Sequence, residues 1–299
     1  MTMKPRPLRE GDRIALIAPS SPFEVDDFTR MCRILENKGY EIAPGNHIFQ
    51  QQKYLAGKEA ERASDLIEAL MDPTIAAIIC IRGGYGSGRL LPWLPFAKLQ
   101  HNTKIFLGYS DITFLHLAFE SLMGWVTFHG PNLMDADRLP GKLDRILECL
   151  KGERSFVWTL ETGQILPSGA ATGKLIGGNL TCLTHMLATP YLPSLEGAIL
   201  VVEDRGEAPY RIDRMFNQLK LTGVLSRLAA LVLGNFKDCG EFDDIAELVL
   251  DHAKAFSFPI IAALPFGHAE VNEVIPLGMP FYINTEEQTL AALQSPFSN

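Results

Sequence analysis

The chain has 299 residues, room for one large or two modest domains at roughly 150 residues each. Apolar residues make up 47% and charged residues 21%, ordinary globular values that exclude disorder, collagen repeats and small disulfide-stapled scaffolds. Twenty-seven basic against 35 acidic residues leave a net charge of −8 with no Lys/Arg-rich run, which excludes the basic footprint of a nucleic-acid binder.

Short β-rich runs alternate with amphipathic stretches through the first half. Residues 13–18 (RIALIA) read as a buried strand closed by Pro19, Ser20, Ser21 and Pro22. Residues 26–38 put Phe28, Met31, Ile34 and Leu35 on one helical face and stop at Gly39. A second helix is expected over 59–71, ended by Asp72-Pro73. Residues 75–81 (IAAIICI) form a strand apolar on both faces. A strand over 104–109 and a helix over 111–122 follow. This alternation predicts an α/β fold with a mostly parallel sheet flanked by helices.

From 151 to 172 the pattern weakens into Gly, Pro, Ser and Thr, as between two lobes. Residues 1–150 are read as the first lobe and 173–299 as a smaller C-terminal α/β, β-rich lobe. Strands are expected there over 198–202, 229–233 and 260–264, and helices over 209–221 and 245–255. The five cysteines are dispersed, odd in number and without a C-x-x-C pair, as in a reducing compartment. No apolar run approaches the roughly 18 residues of a spanning helix, and residues 1–21 lack a signal-peptide core. A soluble, cytoplasmic chain is expected.

Two loops that follow strands are candidates for chemistry. In IRGGYGSGRLLP (81–92), Gly83, Gly84, Gly86 and Gly88 leave backbone N–H groups open to a ligand. A dinucleotide fingerprint begun at Gly84 fails at Arg89; a phosphate loop begun at Gly83 fails at Arg89 and Leu90. A plain tight turn is the alternative. In Gly108-Tyr109-Ser110-Asp111, a serine between a strand and a helix has the logic of a nucleophile elbow, although Ile112 stands where the pattern wants glycine. Ser110 also suits a helix N-cap, and the two roles are compatible.

A serine nucleophile needs a base and an orienting carboxylate. His268 follows a strand and Pro265-Phe266-Gly267, the position of a loop-borne base. His47, His101 and His252 read as solvated and His116 as packed, whereas His129 and His185 lie near turns and suit either lobe. Glu203 and Asp204 come directly after AILVV. Glu207 and Asp213 have Arg205, Arg211 and Arg214 as neighbouring partners. No metal-ligand spacing occurs.

Several segments resemble the LD-carboxypeptidase family, the muramoyl-tetrapeptide carboxypeptidases, with the microcin C immunity peptidases as a related branch. They are RGGYGSGRLLP (82–92), GYSDIT (108–113), FHGPN (128–132), GGNLT (177–181), ATPYLPSLEGAILVVED (188–204), PYRIDRMFNQL (209–219), LVLGNF (231–236) and PFGHAEVNEVIPLG (265–278). They span most of the chain in the family's order. The resemblance implies a Ser–Glu–His triad of Ser110, Glu203 and His268 in a cleft between the lobes. It also implies an oxyanion hole from the Asp111 and Gly84 N–H groups, and substrate contacts from Arg82, Gly83, Tyr85 and Arg89. The implied reaction is hydrolysis of the L–D amide before the terminal D-alanine of a murein tetrapeptide, without metal or organic cofactor, in a homodimer. Two alternatives stay open: hydrolysis of a peptide–nucleotide conjugate with the same triad, and a non-catalytic muropeptide-binding module.

Overall fold

A computed structural model describes residues 2–161 and 166–298. The first-half strands are β1 (Arg13–Ile17), β2 (Glu41–Pro44), β3 (Ile75–Cys80), β4 (Ile105–Gly108) and β5 (Thr127–His129). Next come β6 (Val157–Thr159), β7 (Ala170–Asn179), β8 (Ile199–Arg205), β9 (Ala230–Lys237) and β10 (Ile260–Ile261). The last are β11 (Ile275–Leu277), β12 (Pro280–Asn284) and β13 (Thr289–Ala292). Among the described residues they make a 6-stranded sheet ordered β11-β5-β4-β3-β1-β2 and a 7-stranded sheet ordered β10-β9-β8-β7-β12-β13-β6. β1 to β5 pair in parallel, and so do β7 to β10. The two-lobed α/β architecture expected from the sequence is what the chain adopts.

The sheets form where both faces can be buried. In β3 every residue is buried: Ile78 and Cys80 enter one apolar layer, Ala77 and Ile79 the other. β8 divides in the same way, with Leu200 and Val202 on one side and Ile199 and Val201 on the other. Each layer therefore runs through both lobes. Phe119 of the first lobe and Phe216 of the second belong to one cluster, and each such fully buried side chain is worth about 1.5–3 kcal/mol. The Thr113–Met123 helix lies at the junction, in contact with β7 and the Leu180–His185 helix. Gly124, at φ 65°, takes the left-handed turn that ends it.

The structure departs from the sequence reading at the lobe boundary. The stretch read as a connection over 151–172 holds β6, which pairs with β13, and the start of β7; residues 162–165 of that stretch lie outside the described residues. β11, from the C-terminal half, crosses over and pairs antiparallel with β5 of the first sheet. Its three residues are too short for a period-two signal. The strand expected over 260–264 is only Ile260–Ile261. Conversely β8 and β9 run longer than their apolar cores, so Glu203 and Asp204 lie inside a strand rather than after one. The cysteines are free, with Cys80, Cys182 and Cys239 buried. Among the described residues no helix is long and apolar enough to cross a membrane.

Candidate active site

The carboxyl ends of the parallel strands in both sheets converge on one cavity of about 770 Å³, where open α/β sheets place their ligands. The turn after β3 brings Arg82, Gly83, Gly84 and Tyr85; the turn after β4 brings Ser110 and Asp111; His268 arrives from the second lobe. All seven line the cavity.

Ser110 has φ 66°, a left-handed conformation that is unfavourable for a side chain carrying Cβ. Such strain persists only where its surroundings enforce it. Tyr109 is extended before it and a 3-10 turn, Ser110–Ile112, follows at once. The hydroxyl caps no helix end; Oγ lies 3.0 Å from Nε2 of His268. Nδ1 of His268 lies 2.5 Å from Oε2 of Glu203. A carboxylate only accepts, so Nδ1 carries the proton and Nε2 is free to accept from the serine. Glu203 is fully buried behind the histidine, and its Oε1 has no hydrogen-bond partner among the described residues. Burial disfavours the imidazolium, but the charge and hydrogen bond of Glu203 outweigh it and raise the His268 pKa above its ordinary value.

A β-bulge directs Glu203 towards the histidine. The β8–β9 register shifts between Val202 and Asp204, and Asn235 of β9 bridges to Gly267. Gly267, at φ 104°, passes so close that a Cβ there would lie 2.8 Å from Glu203 Cβ. Neighbours on a strand point to opposite faces, so Asp204 turns away from His268. It accepts from Asn179 Nδ2 at 2.9 Å and from the Thr181 N–H and hydroxyl at 2.9 and 2.8 Å. Burial first, and the Glu203 charge second, raise its pKa.

The glycine loop is tied to the serine turn through buried Asp111, whose Oδ2 accepts from the Ser20 hydroxyl at 2.6 Å and the Ser87 N–H at 2.7 Å. A Cβ on Gly83 would lie 3.0 Å from the Ser110 Cβ; one on Gly84 would overlap the Ser21 hydroxyl. Bare backbone is thus required beside Ser110. The first N–H groups of a helical turn have no partner within it, and Asp111 is second in the Ser110–Ile112 turn and lines the cavity.

Not every expected residue joins the site. Arg89 is absent from the cavity lining and pairs with Glu59 at 2.5 Å, because the Ser87–Trp93 turn carries it towards the Glu59–Met71 helix. Arg82 does line the cavity; its guanidinium donates to the Pro22 carbonyl at 3.1 Å, and no ion pair involves it among the described residues. Tyr85 is half-exposed at the rim. The histidines read as solvated divide: His101 is exposed, but His47 pairs with buried Asp65 at 2.7 Å and His252 with Asp213 at 2.6 Å. Asp213 therefore holds a histidine, while Glu207 takes Arg211 at 3.2 Å as expected. His116 and His129 are buried, and His185 lines the cavity from the second lobe.

The sequence reading missed a support beneath the site. The Tyr109 ring packs 4.9 Å from the His268 ring, and its hydroxyl donates to Asp135 at 2.9 Å. Asp135 also pairs with Arg138 at 2.7 Å. Asn132, at the end of FHGPN, accepts from the Tyr109 N–H at 3.3 Å. Its place after β5, beside the carboxyl ends of β3 and β4, was the available signal. No cluster of three or more His, Cys, Asp or Glu arranged to hold a metal occurs among the described residues.

Comparison with known proteins places the chain in a family. Residues 14–130 match the model of the LD-carboxypeptidase N-terminal domain and residues 172–283 that of its C-terminal domain. A probable murein peptide carboxypeptidase of Bacillus subtilis is 35% identical, over 97% of this chain and 94% of its own. The crystal structure of muramoyltetrapeptide carboxypeptidase from Oxalobacter formigenes superposes with a TM-score of 0.83 at 33% identity, covering 93% of this chain and 97% of that one. MccF in complex with glutamyl sulfamoyl guanosine superposes with a TM-score of 0.90 at 25% identity, covering 99% of each chain.

Proposed function

Because the chain belongs to the LD-carboxypeptidase family, we propose that it is a serine carboxypeptidase that removes the terminal D-alanine from murein tetrapeptides. The observation that carries this reading is the unbroken chain from Ser110 Oγ through His268 to Glu203, at 3.0 and 2.5 Å, opening on the large cavity. In this mechanism Ser110 Oγ attacks the carbonyl carbon of the L–D amide while His268 Nε2 takes its proton. The negative charge on the carbonyl oxygen is met by the Asp111 and Gly84 N–H groups. Collapse breaks the C–N bond, and His268 returns the proton to the departing D-alanine amine. A water, deprotonated by the same histidine, then attacks the acyl-enzyme; the C–Oγ bond breaks, His268 returns the proton to Ser110 Oγ, and the tripeptide leaves. Glu203 holds the imidazole in its tautomer and stabilises the imidazolium. Arg82, with no carboxylate partner among the described residues, meets the C-terminal carboxylate, and Tyr85 closes the rim.

The similarity to MccF supports a second reading, hydrolysis of a peptide–nucleotide conjugate by the same residues. The test is release of D-alanine from murein tetrapeptide, read by mass spectrometry, for wild type and Ser110→Ala, with an acyl-sulfamoyl adenosine run in parallel. Release of D-alanine that vanishes in the variant supports the carboxypeptidase. Release at comparable rate by both sinks the serine mechanism. Cleavage of the conjugate alone selects the second reading, and no turnover of either compound leaves a muropeptide-binding module.

A further inference from the structure

The loop that carries His268 separates two cavities. His268 lines the large one; residues 270–274 line a second, of about 500 Å³, closed on its other sides by the Lys142–Leu150 helix and β6. The loop is tied to Asn235 through the Phe266 carbonyl and is bonded within itself. Gly267 N–H donates to Asn272 Oδ1 at 3.0 Å, and Glu273 N–H to the Pro265 carbonyl at 2.9 Å.

The second cavity has an apolar body and an unmatched polar end. Ile146, Phe156 and Val274 supply buried apolar surface. Lys142 is buried, and its ammonium donates to the Glu270 carbonyl at 3.2 Å with no carboxylate in ion-pair range among the described residues. Arg145, three residues along the same helix, is exposed and likewise forms no ion pair there. Burial lowers the Lys142 pKa; the charge of Asp135, and more weakly that of Glu270, opposes the shift, and the charges of Arg138 and Arg145 add to it. Asn272 is buried, and its Nδ2 has no partner among the described residues. Of the nearby carboxylates, Glu273 already accepts from the Trp158 indole N–H at 2.6 Å. Two cations and a free amide donor, next to apolar surface, are the features of a small-molecule site.

We propose that this cavity is a second binding site, for a small amphipathic anion with an apolar body and one carboxylate, sulfonate or phosphate group. Its charge meets Lys142 and Arg145, the Asn272 amide donates to it, and its body covers Ile146 and Val274. Because the occupant touches the His268 loop from behind, binding there and the position of His268 are linked in both directions. The binding is read without turnover, so it stands or falls separately from the proposed reaction.

The probe is 8-anilinonaphthalene-1-sulfonate with the whole protein, read by its fluorescence and by energy transfer from Trp158. The expected result is one saturable site with Kd below about 1 mM, weakened at least about tenfold by Arg145→Glu, a surface position. Arg82→Glu in the large cavity leaves the affinity unchanged, and Trp158→Phe lowers the energy transfer. The proposal is overturned by no saturable binding, by an affinity indifferent to Arg145→Glu, or by a loss with Arg82→Glu. The linkage has its own readout: dye addition moves the His268 imidazole resonance, and an unmoved resonance refutes it.

Discussion

Gly83 and Ser110 approach so closely that a methyl group on the glycine would sit 3.0 Å from the serine's Cβ and 3.3 Å from the Tyr109 carbonyl. Neither neighbour can yield freely, since Ser110 is already held at positive φ and Tyr109 is anchored through Asp135 and Asn132. Gly83→Ala is therefore expected to displace the Ser110 hydroxyl, the proposed nucleophile, by a fraction of an ångström and to lower kcat about 100-fold, the scale on which small misplacements act. Steady-state kinetics on the tetrapeptide check this. A variant within a few-fold of wild type would mean that the turn relaxes without moving the hydroxyl.

Replacing Glu203 by Gln keeps the volume and removes the charge behind His268. The expected loss in kcat/KM is about 10⁴-fold, as when an orienting carboxylate becomes an amide. The pH profile carries a second signature. In the proposed mechanism the base works as neutral imidazole, so activity rises with pH through the histidine's pKa, which Glu203 holds above the ordinary value of 6.5. Without that charge burial prevails over the remaining pull of Asp204, and the acid limb of kcat/KM shifts to lower pH in the variant. A limb that stays in place would separate the titration from Glu203.

His116 offers a test of stability rather than rate. Its ring is buried between the Thr127 hydroxyl at 2.9 Å and the Gly108 carbonyl at 2.8 Å, and burial lowers its pKa to about 4. The folded pKa lies below the unfolded one, so the unfolded chain binds the proton first and stability falls as pH drops from 6.5 towards 4. The loss attributable to this residue is about 3 kcal/mol. Urea titrations at stepped pH should show a smaller acid dependence in His116→Gln. His129, lowered in the same direction by burial, keeps part of the slope.

The two arginines of the glycine loop are expected to behave differently. Arg82 lines the cavity without an ion-pair partner among the described residues, and Arg82→Ala should raise KM about tenfold or more, the worth of a charged hydrogen bond. Arg89 is spent on Glu59 outside the cavity, so Arg89→Ala should leave kcat and KM within about twofold and cost less than about 1 kcal/mol of stability, as exposed pairs do. Equal effects of the two on KM would contradict the placement of Arg89.

What the sequence by itself determined was whatever depends on neighbours along the chain. Hydrophobic period and helix-stop residues gave the Val25–Asn37, Glu59–Met71 and Pro209–Leu221 helices and the cores of β1, β3, β4, β8 and β9 to within a few residues. The doubly apolar run of β3 announced a buried parallel sheet before any partner strand was known. Ser110, Glu203 and His268 each stood out weakly alone, and only the order of several motifs joined them.

The tertiary structure decided what depends on residues distant in the chain. β11 crosses to the other lobe's sheet, and β6 closes the edge of the second; segments of three residues have no periodicity to show, and only the sheets they complete hold them. Glu203 and Asp204 are adjacent and chemically alike in sequence. The bulge against β9 and the alternation of β8 send the first to His268 and the second to Asn179 and Thr181. Arg82 and Arg89 share one loop, and the turn between them sends one to the cavity and the other to Glu59. Side-chain direction follows from backbone twist and packing, which are set only when the two sheets have come together.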